Sequence, residues 1–357
     1  MRIFEEGSTR FYAPEGNVTK KLPVFYNPSM ALDRDLTTAL LRAHGGRSYC
    51  DALAGSGIRG IRAAREAGFE RIFFNDISPE ATALIRKNME MNGVRGEVFC
   101  EDVNLFLRRF RCDKFDVIDI DPFGSFIVAL DSALRAIRRK DGLLCLTATD
   151  TAPLCGVSIL TCRRRYDARP LRTSYAKEIG LRILIGASVR MAARYEFALR
   201  PLLCYNHRHY FRLFLATENG TKRANDMLDR ISYLQHCFKC DWRGYVKVDR
   251  FLDKCPNCAS GLNWAGPLWA GEFADSGFCG NIQTDNPQLR DLLRLVAGEQ
   301  EILTPFYNIH HLSRLAAIPC PPKRQLISRL AEEGHRVTET HFSRTGIRCD
   351  VLPLFNS

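Results

Sequence analysis

The 357-residue sequence has no apolar run of about 18 residues and no charged-then-apolar leader, so neither a membrane span nor a secretory signal is expected. Low-complexity tracts and internal repeats are also missing, which disfavours solenoids and disordered arrays. Acidic residues are in deficit: 40 Asp and Glu stand against 51 Lys and Arg, a formal net charge of +11. An acidic, self-solvating chain is thereby excluded. The balance suits a polyanionic partner such as nucleic acid, the other reading being a basic enzyme with a solvated surface. Cysteine is plentiful, at 14 residues. Most stand singly in apolar, strand-like runs (Cys50, Cys100, Cys145, Cys204), where the thiol packs as a small hydrophobe. Without a leader, the thiols read as reduced and the chain as cytoplasmic. No segment calls for an obligate protein partner.

Glycine is concentrated where it carries most information. Asp51-Ala-Leu-Ala-Gly55-Ser-Gly57-Ile-Arg-Gly60 spells G-x-G-x-x-G after a short apolar segment and ahead of a helix-like one. Such a turn lets backbone N–H groups at a helix N-terminus approach a nucleotide closely. From residue 47 the chain then alternates. Strand-like segments at 47–53, 71–76, 97–101, 115–120 and 143–148 are separated by helix-like ones at 57–68, 79–92 and 125–139. The pattern predicts an α/β, Rossmann-like domain with a mostly parallel sheet and its ligands at the carboxyl ends of the strands. Residues 172–200 read as helix and 202–216 as one or two late strands.

After residue 220 the character changes. A cysteine-rich insert covers 236–260, helices are expected at 286–295 and 323–333, and a strand-like Val-Thr-Glu-Thr-His-Phe follows. We divide the chain into a domain of residues 1–220 and a smaller α+β domain of residues 221–357. The order helix, helix, strand in the latter is compatible with a winged-helix-like module.

The glycine turn does not by itself choose between NAD and S-adenosylmethionine (AdoMet), and neither does Asp76, an acid placed to bind a ribose diol. Two later features favour AdoMet. Asp102-Val103 follows the third strand, where a carboxylate and a backbone N–H can meet an adenine edge; a helix cap is the plainer reading. Asp121-Pro-Phe-Gly124 ends the fourth strand, where a methyltransferase of this topology keeps its catalytic loop. These features predict a class I methyltransferase domain.

Asp-Pro-Phe-Gly resembles the [D/N]-P-P-[Y/F] motif of enzymes that methylate an exocyclic base nitrogen. The lone pair of an aryl amine is delocalised into its ring. A carboxylate that accepts from the amine's N–H localises it and takes up the proton. Pro122 offers no competing N–H, and Phe123 gives a flat face for stacking a base.

The chain as a whole resembles the tRNA (guanine-N2)-dimethyltransferases, which methylate guanine 26 of tRNA with AdoMet. The resemblance rests on Glu6-Gly7, Val24-Phe-Tyr-Asn-Pro-Ser-Met30, Arg34-Asp-Leu36, Gly57-Ile-Arg-Gly60, Asp121-Pro-Phe-Gly-Ser125, Arg200-Pro-Leu-Leu203 and Thr340-His-Phe-Ser-Arg-Thr-Gly-Ile-Arg348. Arg344 stands where the family often has Pro. The resemblance implies that the chain adds one or two methyl groups to N2 of guanine 26; an amino-methyltransferase acting on another nucleic-acid base is the alternative. It implies that Arg34, Arg59, Asp76, Asp102 and Val103 bind AdoMet, beside Asp51, Gly55 and Gly57 of the glycine turn. Arg34 or Arg59 would meet the methionine carboxylate. Asp121 would be the catalytic acceptor next to Pro122, with Phe25 and Phe123 sandwiching the guanine.

Cys237-Phe-Lys-Cys240 and Cys255-Pro-Asn-Cys258 are two C-x-x-C knuckles separated by 14 residues, the spacing of a zinc ribbon. Four thiolates close a tetrahedron, so the Zn²⁺ is expected to be structural. Basic clusters at Arg163-Arg-Arg165, Arg169 and Arg172, with His341, Arg344 and Arg348 further on, are candidate phosphate contacts, the other reading of each being a solvated face.

Overall fold

The computed structural model describes residues 1–15, 24–110 and 114–353. The chain opens with an antiparallel hairpin, β1 (Arg2–Glu6) and β2 (Thr9–Ala13), followed by α1 (Ala31–His44). A seven-stranded sheet is then built from β3 (Ser48–Asp51), β4 (Arg71–Asn75), β5 (Glu97–Phe99), β6 (Val117–Ile120), β7 (Leu143–Ala148), β8 (Phe197–His207) and β9 (Tyr210–Asn219), in the order β5-β4-β3-β6-β7-β9-β8. The first five strands are parallel; β9 runs antiparallel to them, and β8, antiparallel to β9, points their way again. This is the expected Rossmann-like methyltransferase architecture. The chain leaves β3 toward β4 and re-enters on its other side with β6, so the crevice for a ligand opens at the carboxyl ends of β3 and β6.

The crossover helices are α2 (Ile58–Ala67), α3 (Pro79–Met91), α4 (Val103–Arg108) and α5 (Ile127–Ala136). Local chemistry starts them. Ser78 caps α3 by accepting from the Ala81 N–H at 3.1 Å, with Pro79 at the first helical position, where its missing N–H costs nothing. Between β7 and β8 lie α6 (Thr151–Leu154), α7 (Ile159–Tyr166) and α8 (Ala176–Ala193). α8 is buried on nearly every face, a helix inside the core. The helix expected over 172–200 is thus shorter at both ends. Glu196 takes a left-handed φ of +62°, and Phe197 opens β8. Pro201 is tolerated there because β8 is the sheet's edge, where one N–H need not bond.

After β9 come α9 (Thr221–Leu228) and a three-stranded antiparallel sheet of β10 (Ile231–His236), β11 (Arg243–Val246) and β12 (Asn263–Trp269), in the order β11-β10-β12. It carries the cysteine knuckles. Then follow α10 (Ser276–Asn281), α11 (Pro287–Gly298), β13 (Tyr307–Asn308), α12 (Ile309–Leu315), α13 (Lys323–Glu332), β14 (Val337–Glu339) and β15 (Gly346–Cys349). From α11 onward the order is helix, strand, helix, helix, strand, strand, with sheet order β13-β15-β14, a winged-helix arrangement. α12, which Asn308 caps through the His311 N–H at 3.1 Å, lies between the two helices expected from the sequence.

The apolar core does not stop at residue 220. One cluster runs from Met30 through the sheet and α8 to Leu268, Trp269 and Phe342. β12 lies directly on α8 at Gly186, where a Cβ would stand 3.1 Å from the Trp269 backbone nitrogen. A second, smaller core gathers Tyr307, Ile309, Leu312, Leu326, Leu330, Ile347 and Cys349 inside the winged-helix module.

Candidate active site

The three glycines of the turn serve three different ends. Gly55 has φ +53° and sits under the Phe25 carbonyl, where a Cβ would approach to 2.8 Å. Gly57 begins α2 with φ +78°. At Gly60 a Cβ would strike the Phe74 ring at 2.3 Å, so the helix can lie on the sheet only without one. The turn borders a cavity of about 280 Å³ at the carboxyl ends of β3, β4 and β6. Phe25, Arg34, Gly55, Arg59, Asp76, Asp121, Pro122 and Phe123 all line it. Asp76 is fixed there by two backbone donors: the Gly55 N–H reaches Oδ2 and the Ser78 N–H reaches Oδ1, both at 2.9 Å.

Asp121 leaves β6 facing Arg59. The guanidinium donates to Asp121 Oδ2 from Nη2 at 2.7 Å and from Nε at 3.1 Å. Asp121 Oδ1 carries no hydrogen bond among the described residues. Arg59 Nη2 also donates to Asp33 Oδ2 at 2.7 Å. Behind this pair the charges continue inward. Arg212, fully buried on β9, donates to both oxygens of Asp119 at 2.9 and 2.7 Å and lies 3.6 Å from Asp33. The Tyr205 hydroxyl donates to Asp33 Oδ1 at 2.6 Å. Burial works to raise the Asp33 pKa, but Arg212 and Arg59 outweigh it and hold the carboxyl below its ordinary value. Asp51 goes the other way: burial, then the nearby Asp119 charge, push it up to about 8.

The loop after Asp121 is pinned to the next strand. Gly124 and Thr149 exchange hydrogen bonds at 2.8 Å, N–H to Oγ1 and N–H to carbonyl. The Tyr166 hydroxyl bridges Ser125 Oγ and the Asp150 carboxylate at 2.7 Å, which ties α7 to the same loop. Thr149, Asp150, Tyr166, Asp33, Asp119 and Arg212 had all escaped the sequence reading. A charged residue inside an apolar strand pattern, as with Asp119 and Arg212, was the available signal.

Several expected roles change with the geometry. Asp51, assigned to the cofactor, is 1% exposed and does not line the cavity; its carboxylate accepts from the Gly60 N–H at 3.1 Å behind the turn. Gly57 likewise shapes the turn without lining the cavity. Arg34 is clamped to Glu6 at 2.7 and 2.5 Å and to the Asn27 carbonyl at 3.0 Å, leaving Nη1 without a partner among the described residues. The Arg59 nitrogens Nε and Nη2 are committed to carboxylates, and Nη1 is buried. Asp102 and Val103 lie outside the cavity lining; Asp102 Oδ1 caps α4 through the Asn104 and Leu105 N–H groups. Phe25 and Phe123 meet edge to face with centroids 4.4 Å apart, so no base fits between them in this arrangement. His341 and Arg348, expected on the RNA-facing surface, are buried. The His341 ring is 2.5 Å from Glu299, and Arg348 pairs with Glu299 at 2.7 Å and Glu178 at 2.9 Å. Arg163, Arg164, Arg165, Arg172 and Arg344 are exposed.

The four knuckle cysteines converge. All four Sγ atoms lie within 4.8 Å of one another, and Cys237–Cys258 and Cys240–Cys255 are each 3.5 Å apart. A Zn–S bond of about 2.3 Å gives tetrahedral edges of about 3.8 Å, so the set fits a metal and not disulfides. The knuckles share one backbone design. Cys237 and Cys255 each accept from the N–H four residues on and donate to the carbonyl five residues on. Asp241 and Ala259, each following the second cysteine, both take left-handed φ, at +62° and +56°.

Among known proteins, the family of N2,N2-dimethylguanosine tRNA methyltransferases matches residues 5–353. A tRNA (guanine(26)-N(2))-dimethyltransferase of Methanothermobacter thermautotrophicus is 40% identical, with 98% of this chain and 96% of the relative covered. A tRNA (guanine(26)-N(2)/guanine(27)-N(2))-dimethyltransferase of Aquifex aeolicus is 36% identical, covering 98% and 93%. The structure of Trm1 from Pyrococcus horikoshii, solved with S-adenosyl-L-methionine, superposes with a TM-score of 0.87 at 33% identity, covering 99% of this chain and 98% of that one.

Proposed function

Because the chain belongs to the N2,N2-dimethylguanosine tRNA methyltransferase family, we propose that it transfers one or two methyl groups from AdoMet to the exocyclic N2 of guanine 26 in tRNA. The observation that carries this reading is the meeting of Asp121, Arg34 and Asp76 around one cavity at the switch point of the sheet.

AdoMet supplies an electrophilic methyl group. Arg34, through its open Nη1, is the side chain for the methionine carboxylate, since Arg59 is already spent on Asp121 and Asp33. Asp76 takes the ribose hydroxyls. Asp102, with Oδ2 left over from its cap, and Val103 serve the adenine edge one strand further along. Asp121 Oδ1 accepts from the guanine amine, localises its lone pair and receives the proton as the N–C bond forms and the methyl–sulfur bond breaks, leaving S-adenosylhomocysteine. Arg59 fixes the other oxygen, so the carboxylate cannot swing away. Phe25 and Phe123 part to admit the base. For this the exposed position of Phe123, 49% accessible, leaves room.

Residues 221–357 act with the catalytic domain to hold tRNA in the cytoplasm. The exposed arginines of α7, with Arg172 and Arg344, contact phosphate. The four cysteines hold one structural Zn²⁺, closed to substrate.

The test is mass mapping of methylguanosine in a tRNA transcript treated with enzyme and AdoMet, beside a transcript lacking guanine 26. Product at guanine 26, absent from the second transcript and lost in Asp121→Ala with AdoMet binding retained, is the expected result. Equal methylation of both transcripts would favour another base as target. Wild-type turnover in Asp121→Ala would overturn the role of Asp121.

A further inference from the structure

A second cleft lies away from the cavity, between α7 and the knuckle-bearing sheet. It has a volume of about 370 Å³ and is lined by Ile159 and Arg163 of α7, by Arg169, and by Tyr233, Trp264 and Pro267 of the sheet. That volume falls in the ~300–1,000 Å³ range of clefts that take small planar ligands. Nothing in the proposed chemistry uses it.

Its wall is an aromatic cluster. Trp264 packs edge to face on Tyr233 at 5.7 Å and on Phe251 at 6.0 Å, and Tyr233 and Phe251 are 5.4 Å apart. None of the three is buried. The Arg169 guanidinium lies over the Trp264 ring, 4.6 Å from its centroid. It is held there by the backbone, since Arg169 and Gly266 exchange N–H to carbonyl bonds at 2.8 Å in both directions. Arg163 is exposed at the rim, with Arg164 beside it. Asp167 is the single acid of the lining.

We propose that this cleft is a stacking site for one unpaired nucleotide of the RNA substrate. The proposal rests on the tRNA-methylating reading above and adds a contact to it. Three observations select a nucleotide over an apolar peptide. The indole has a flat face, now capped by the Arg169 guanidinium 4.6 Å away, on which an unstacked base is held once that guanidinium moves over the base or to a phosphate. Arg163 and Arg164 give the rim the sign that a phosphodiester requires. And α7, which bears them, is tied by the Tyr166 hydroxyl to Asp150 and Ser125 of the catalytic loop, so an RNA held here is registered against Asp121. There is also an energetic motive. A guanine paired and stacked in a helix cannot enter the cavity beside Asp121 until the base leaves its stack, at a cost of a few kcal/mol. A neighbouring nucleotide captured by Trp264 offsets that cost.

The experiment measures tRNA binding by the full-length protein across a salt series, together with tryptophan fluorescence, which reports on 3 indoles in this chain. Trp264→Ala should weaken tRNA binding by about 5- to 150-fold, the range for loss of one stacked base. The salt slope and the AdoMet affinity should be unchanged. Trp264→Phe should recover most of the loss, because a flat face returns. Added tRNA should quench wild-type fluorescence, and the quench should vanish in Trp264→Phe, a readout that does not depend on the Ala variant folding well. Arg163→Ala should instead flatten the salt slope. Wild-type tRNA affinity in Trp264→Ala, or a quench that survives in Trp264→Phe, overturns the stacking site while guanine 26 is still methylated and the proposed function stands. A wild-type protein that leaves guanine 26 unmethylated overturns both.

Discussion

Arg59 decides between two designs of the catalytic site, and its replacement separates them. In the first, the guanidinium holds the methionine carboxylate of AdoMet. In the second, supported by its three bonds to Asp121 and Asp33 at 3.1, 2.7 and 2.7 Å, it is a positioning residue for Asp121, the proposed proton acceptor. The side chain is 6% exposed, and Asp33 is fully buried. Arg59→Met therefore leaves two carboxylates without their shared cation, and Asp33 keeps only Arg212 and Tyr205. Breaking a buried ion pair by removing one partner costs about 3–5 kcal/mol, which urea unfolding of the AdoMet-free protein should report. Arg59→Lys restores the charge but not the fork, since an ammonium is a point charge. Its stability loss should be smaller, while Asp121 is no longer held at two points. A displacement of about 1 Å at a reacting group costs on the order of 10² in rate. Single-turnover methylation of tRNA at saturating AdoMet should thus fall about 100-fold in Arg59→Lys, with calorimetric AdoMet affinity nearly unchanged. The opposite pattern refutes the reasoning: affinity for AdoMet lost tenfold or more, with the saturated single-turnover rate intact.

Three further outcomes follow from the buried charges and the cysteines. Burial and the Asp119 charge push Asp51 up to about 8 from roughly 3.9 in the unfolded chain, so the folded state binds its proton more tightly. The stability this contributes is full below about pH 4 and lost as pH rises through about 8. Asp51→Asn should raise the melting temperature at pH 9 and change it little at pH 5, and an equal shift at both would refute the protonated Asp51. Glu299 is the reverse case: burial opposes its charge, but His341 and Arg348 hold it down to about 2. Its contribution is present above roughly pH 4.3 and lost as pH falls through about 2, so Glu299→Gln should cost about 3–5 kcal/mol at pH 7; urea unfolding showing no loss there would sink the assignment. Metal analysis should find one zinc per chain, and chelation should lower the melting temperature without weakening AdoMet binding, whereas a stoichiometry near zero in stable protein would mean the four thiols hold no metal.

The parallel sheet, the glycine turn and the knuckles were legible because each leaves a local mark. A parallel strand buried on both faces is a short apolar run, a turn with φ near +53° or +78° asks for glycine, and C-x-x-C fixes two ligands within one turn. The misreadings share a different cause. His341 and Arg348 stand in a polar, basic stretch, yet both face Glu299, 42 and 49 residues earlier. A sequence shows the density of charge but not the partner, and here the partner is what takes the charge off the surface. The helix over 172–200 overran for a related reason. Nothing in Arg194-Tyr-Glu-Phe197 breaks a helix locally, and the left-handed turn at Glu196 is imposed by the pairing of β8 with β9.

The same distinction explains why Asp-Pro-Phe-Gly marks the proposed proton acceptor without giving its geometry. The tetrad puts Asp121 at the end of β6. Its orientation comes from Arg59 on α2, which is oriented by Asp33 on α1, which is held by Tyr205 on β8 and faced by Arg212 on β9. These residues are up to 179 positions apart along the chain (Asp33 to Arg212) and meet only after the sheet has closed with its late antiparallel hairpin. An isolated pair of charges in such a core would be a poor source of stability, because desolvation cancels most of the attraction. A chain of them ending at a solvent-facing carboxylate has another use: each member is over-determined by its neighbours, and Asp121 inherits that rigidity. If Asp121 is the proton acceptor we propose, the late hairpin β8–β9 helps to position it, although neither strand lines the cavity.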